Sequence, residues 1–113
     1  MPPIESAKNS MDGIVRITRV VALFDIWVDT DLFPFLKMKV KVVEKSEGSY
    51  LALMNVHRRD RTSGETDYLS GFADTVDAAI ADLLTTFVSE VREHVPEGGL
   101  IDNDFEWSDH ENF

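Results

Sequence analysis

Cysteine is missing from this chain altogether, which removes disulfides, thiol catalysis and thiolate metal sites together. No apolar run approaches the roughly 18 residues that a membrane span needs, and the opening "MPPIESAKNSMDG" lacks the apolar core of a signal peptide. These absences fit a reducing compartment and predict a cytoplasmic protein, with Met11 offering a second start. Catalytic signatures are lacking too: there is no phosphate-cradling glycine loop, no Gly-x-Ser-x-Gly elbow and no His-Glu-x-x-His pair. His57, His94 and His110 fall on a strand end, a helix end and the C-terminal stretch, with no ligand spacing between them. "DTD" at 29–31 precedes a proline and reads as turn chemistry rather than a cation site. "DNDFEW" imitates the start of a calcium loop, but Trp107 stands where the sharp turn needs glycine and Phe113 where the bidentate Glu belongs. The expectation is a protein that is not an enzyme and takes no metal or cofactor.

Positive charge is also scarce, with 11 Lys and Arg against 21 Asp and Glu over 113 residues. It is unevenly placed: the net charge is −2 over residues 1–36, +4 over 37–61, −6 over 62–96 and −6 over 97–113. One basic block thus sits in an acidic molecule, whose net charge of −10 disfavours general binding to nucleic acid. Length and ordinary apolar content predict a single folded domain over 13–96, after a polar lead of 1–12 and before an acidic tail of 97–113.

Hydrophobic periodicity orders the elements. "GIVRITRVVALFDIWV" is rich in β-branched and aromatic residues, and its alternation slips near Arg19, which predicts a bulge or two successive strands. "DTDLFPF" is a turn. In "LKMKVKVVEK", Leu36, Met38, Val40 and Val42 alternate with Lys37, Lys39 and Lys41, giving one apolar and one basic face. "SEGS" turns the chain and "YLALMNVH" returns it; "RRDRTSGETD" reads as a loop and "YLSGF" as a short edge strand. An open edge near Tyr68 to Phe72 leaves room for a homodimer. From Val76 to Val95 apolar residues recur at three- and four-residue steps, with Asp74 or Thr75 as N-cap and Pro96, Gly98 and Gly99 as the stop. The predicted fold class is α+β: an antiparallel sheet of three to four strands against one long amphipathic C-terminal helix, followed by the tail.

Gly71, Thr75, Ala78, Ala79 and Ala81 mark the passage from this strand set into the helix. Over residues 36–95 the order resembles antitoxins of the HicB type, whose strand pair, turn and helix neutralise a partner toxin. Double-stranded RNA-binding domains share a similar strand-and-helix tail, but Asp74 and Asp77 stand where their lysine-rich helix start would be. The acidic, Phe-ending tip is similar to the tips of bacterial and phage single-stranded DNA-binding proteins, which recruit partners and compete with DNA for a basic groove.

Three features are candidate functional surfaces. The tail carries Asp102, Asp104, Glu106, Asp109 and Glu111 with Phe105, Trp107 and Phe113. Its acids either lie on the protein's own basic face, with the rings filling a groove, or engage a basic pocket on another protein. The basic face comprises Lys37, Lys39 and Lys41, extended by Lys45, Arg58, Arg59 and Arg61, with Tyr50 or Phe72 as base-stacking rings. The third is the helix's acidic outer side, Asp77, Asp82, Glu90 and Glu93. The expected function is an acidic interaction module of the antitoxin, immunity or anti-defence inhibitor type that masks a basic surface of a nucleic-acid-handling partner. The alternative is a single-stranded nucleic-acid binder regulated by its tail.

Overall fold

The computed structural model describes residues 13–109 and 113; the polar lead and residues 110–112, Glu111 among them, lie outside the described residues. Among the described residues, seven strands, one α-helix and one short 3-10 turn make an α+β fold, as the hydrophobic pattern predicts. Strands β1 (Arg19–Trp27), β2 (Lys37–Ser46), β3 (Ser49–Met54) and β6 (Ser70–Ala73) form a four-stranded antiparallel sheet in the order β1-β2-β3-β6. Strands β4 (Val56–Arg59), β5 (Thr66–Asp67) and β7 (Phe105–Trp107) form a three-stranded sheet in the order β5-β4-β7. Helix α1 (Val76–Glu93) follows β6, and the turn Asp102–Asp104 leads into β7.

The four-stranded sheet follows from its pleat. Met38, Val40 and Val42 of β2 and Ala52 and Met54 of β3 point to one face and are buried against Ala79, Leu83, Phe87 and Val91 of α1. Each fully buried aliphatic or Phe side chain of this kind stabilises the fold by about 1.5–3 kcal/mol. The predicted slip in β1 appears as a register shift between Val20 and Ala22, and the β2–β3 turn uses Gly48 at φ 71°. Thr75 caps the helix, its hydroxyl accepting from the Ala78 amide at 3.1 Å. Gly71 lets the helix lie close on β6: a Cβ there would come within 2.2 Å of the Ala79 carbonyl oxygen.

The three-stranded sheet was not predicted. "YLALMNVH" reads as one strand, but it breaks at Asn55, whose Oδ1 accepts from the Lys39 amide at 2.8 Å while its own N–H donates to the Lys39 carbonyl. With the ladder interrupted there, the chain leaves β2 as β4 and pairs elsewhere. "RRDRTSGETD" is correspondingly not a plain loop: Arg58 and Arg59 belong to β4, and Thr66 and Asp67 form β5. The helix is not the last element, because β7 comes from the stretch read as tail and docks antiparallel on β4. β1 begins at Arg19, later than the alternation starting near Val15 suggests.

Candidate functional site

Rings gather where the two sheets meet. Phe33, from the turn after β1, stacks on Phe87 of the helix with centroids 5.6 Å apart and planes 6° apart. Phe105 reaches this cluster from β7, meeting Phe35 edge-on at 5.1 Å, and Trp107 meets the same Phe35 at 5.0 Å. Edge-on rings set the positive rim of one against the negative face of the other. Phe105 is 4 % exposed, so it is a core residue, whereas Trp107 keeps 45 % of its surface.

Around this anchor the acidic and basic blocks meet. Asp104 takes two hydrogen bonds from the Arg61 guanidinium, at 2.7 and 3.0 Å, and a third from the Ile101 amide. These donors hold its carboxyl below the usual carboxylate range, the Arg61 bonds contributing most. Arg58, buried itself, is paired with Asp67 at 2.6 Å. Glu106 accepts from the Thr66 hydroxyl at 2.7 Å and faces Arg59 at 3.8 Å, and the Thr66 bond leads the lowering of its carboxyl. His57 lies beside Glu106's strand with Nε2 2.9 Å from the Ser108 hydroxyl and its ring 4.7 Å from that of Tyr68. Burial pushes its imidazole below the ordinary value, against the opposing pull of Glu106. A cavity of about 270 Å³ lies between this strand and the helix end, lined by Arg58, Arg59, Arg61, His94 and Leu100, with Asp104 on its wall.

The lysine row lies on the outer face of the four-stranded sheet, opposite the helix. Register sets Lys37 beside Trp27, Lys39 beside Asp25, and Lys41 between Leu23 and Leu53. Asp25 bridges two of them, at 2.8 Å to Lys39 and 4.0 Å to Lys37. The Lys39 hydrogen bond is the main reason its carboxyl is lowered. Lys37 also sits 5.2 Å from the Trp27 ring centroid. Lys45 is exposed near the hairpin turn. Tyr50 packs against the helix-side core and so lies on the other face from the lysines, whereas Phe72 shares their face.

The basic residues singled out in the sequence are therefore split between two places: Lys37, Lys39 and Lys41 on one sheet face, and Arg58, Arg59 and Arg61 around the small sheet. Among the acids, Asp104 and Glu106 are joined to those arginines, while Asp102 and Asp109 are exposed. Asp82, expected on the helix's outer side, instead turns to β6: it accepts from the Phe72 amide at 3.0 Å and so covers part of that strand's edge. Asp29 Oδ1 accepts from the Asp31 amide, the turn role expected of "DTD". Among the described residues no group of three or more His, Asp or Glu is arranged to hold a metal ion, and no helix is long and apolar enough to cross a membrane.

The sequence reading missed Phe33, Phe35 and Asn55. Two phenylalanines flanking Pro34 were the available signal, since a solvent turn has no use for a pair of rings. Comparison with protein-family models, with curated proteins and with solved structures returns no match.

Proposed function

We propose that the protein is an acidic protein-interaction module, of the antitoxin, immunity or anti-defence inhibitor type, that occupies a basic surface on a nucleic-acid-handling partner in the cytoplasm. One observation carries this reading: the chain spends its own carboxylates on its cations. Lys37, Lys39, Arg58, Arg59 and Arg61 each have an Asp or Glu of the same chain within 4.0 Å. Phosphate would have to displace these carboxylates, so the sites are poor counterion-release surfaces. These pairs consume only four of the 21 carboxylates, and the chain as a whole keeps a net charge of −10. Among the described residues, Asp77 and Glu93 of the helix and Asp102 and Asp109 of the C-terminal stretch have no Lys or Arg within 4.0 Å. Such side chains stand in for phosphates on a basic protein surface and raise the rate of encounter with it.

The second reading, a single-stranded nucleic-acid binder, draws on Lys37, Lys39 and Lys41 sharing one face with Trp27 and Phe72. It ranks lower because Asp25 lies within that row. Fluorescence anisotropy separates the two, using a labelled single-stranded oligonucleotide and a labelled arginine-rich peptide of the kind that binds RNA, titrated between about 50 and 300 mM salt. The interaction-module reading expects binding of the peptide alone, weakening with salt and weakening further in an Asp77→Asn, Glu93→Gln, Asp102→Asn triple variant. Oligonucleotide binding tighter than peptide binding overturns it in favour of the second.

A further inference from the structure

The outer face of the four-stranded sheet bears a surface whose chemistry is the opposite of the acidic one. Strand register places Val20, Val43, Leu51 and Phe72 in one row across all four strands, and Leu23, Lys41, Leu53 and Ser70 in the next. Val20, Leu23 and Phe72 are each more than half exposed. Val43, at the middle of its row, is 2 % exposed yet lies outside the helix-side core cluster. Single exposed apolar residues are ordinary on proteins, but contiguous apolar rows mark surfaces that meet something.

The chain itself places one ring there. The Phe113 ring centroid lies 4.7 Å from the Lys41 ammonium, and the same ammonium donates to the Phe113 backbone oxygen. Asn55 leads the tail to this face: its carbonyl accepts from the Ser108 amide, and its side chain is bonded to the Lys39 amide in the lysine-bearing strand. The tail that supplies the ring holds six acids and no base over residues 97–113. The face that receives it carries Lys37, Lys39 and Lys41 against Asp25.

We infer that this sheet face is a docking surface for an acidic, aromatic-bearing segment of a partner protein, and that Phe113 occupies it when no partner is bound. Lys41 holds the incoming ring by a cation–π contact and the adjoining backbone by a hydrogen bond, Leu23 and Leu53 stand on either side of Lys41, and the row's excess of lysine over Asp25 attracts the segment's acids without displacing that carboxylate. Charge decides the occupant. A basic partner would meet three lysines, and a second copy of the face would set two lysine rows against each other. The helix acids proposed to meet a basic partner, Asp77 and Glu93, belong to the element on the opposite side of the sheet, so either assignment stands without the other; of the C-terminal acids, Asp109 lies beside this face, its carbonyl accepting from the Phe113 amide.

The test uses the full chain and a capped peptide with the sequence of residues 108–113, Ser-Asp-His-Glu-Asn-Phe, followed by the NMR shifts of the Leu23, Leu53 and Val43 methyl groups. In Phe113→Ala the peptide should move these methyls with an apparent affinity at least roughly threefold above wild type, since the tethered ring no longer competes. Adding Lys41→Gln should weaken binding by about fivefold or more, as should replacing the peptide's Phe by Ala. Neither substitution touches the core, so unchanged core methyl shifts confirm the fold in each variant. Equal binding by wild type and Phe113→Ala, or methyls that stay still, overturns the inference. So does an oligonucleotide that moves the same methyls at lower concentration than the peptide, which would make the face a nucleic-acid surface.

Discussion

The four-stranded sheet closes on its helix through apolar side chains, with Met38, Val40 and Val42 of one strand buried against Ala79, Leu83, Phe87 and Val91 of the helix. The three-stranded sheet instead gathers Arg61 and Asp104, 43 positions apart, and its neighbouring charges around guanidinium–carboxylate bonds. In the first region, alternation on the strands and a stripe on the helix are enough to specify what is buried. In the second, a charge excess in one block is answered by the opposite excess in another. Paired ions return little net stability, because desolvation offsets much of the attraction. The small sheet therefore depends on the apolar side chains it sends into the common core, Val56 and, the larger of the two, Phe105.

Removing that side chain is the sharpest way to break the comparison. Phe105→Ala should cost about 3–5 kcal/mol by urea unfolding, with hydrogen exchange of the β4 and β7 amides rising before that of β2 and β3. A loss shared evenly by both sheets would mean that they unfold as one unit. The corresponding probe of the larger region is Gly71→Ala, which drives a methyl group into the Ala79 carbonyl and the Leu83 backbone. A cost of about 2–3 kcal/mol is expected, with the helix amides exchanging fastest. A cost below about 1 kcal/mol would show that the helix can stand off from β6.

This contrast also explains what was legible in the sequence. The Lys37 to Val42 alternation and the Val76 to Val91 stripe are local signals, and they gave the hairpin, the helix and its Thr75 cap. Phe105 and Asp104 were visible as a ring and an acid in the last stretch, but nothing local says whether they turn inward. That depends on Phe33, Phe35 and Arg61, which only the fold brings near. Asn55 is a similar case: the break it makes rests on a side-chain bond to a strand 16 residues earlier. Charge blocks were the long-range hint, and a +4 block followed by acidic ones is satisfied by internal pairing as well as by a partner.

The ion pairs of the small sheet make it the region that acid reaches. Asp104 is held below the usual carboxylate range in the folded chain, so its share of stability is present above the unfolded-state value. That share is lost as pH falls through the lower, folded value. Asp104→Asn should therefore depress the melting temperature by several degrees at neutral pH. The gap from wild type should close in acid, below about pH 4. A gap that persisted there would assign the loss to packing rather than charge.

His57 gives the smallest effect and the finest discrimination, because it titrates in a different window from Asp104 in the turn before the neighbouring strand. It is 7 % exposed, and its Nδ1 has no hydrogen-bond partner among the described residues. Burial keeps the folded imidazole neutral to lower pH than in the unfolded chain. Above the ordinary value near 6.5 neither state binds the proton, so His57 has no effect on the balance. Below it the unfolded chain takes up a proton that the folded chain does not, and stability declines until the folded value is passed. Between about pH 7.5 and 5.5 wild type should thus lose stability that His57→Gln retains, while Asp104→Asn follows wild type over the same interval. If His57→Gln keeps the wild-type slope, Glu106 offsets the burial and the imidazole takes up its proton alike in the folded and the unfolded chain. Only a wild type that gained stability over His57→Gln on acidification would place a His57–Glu106 ion pair across the β4–β7 pairing and tighten the small sheet in this window.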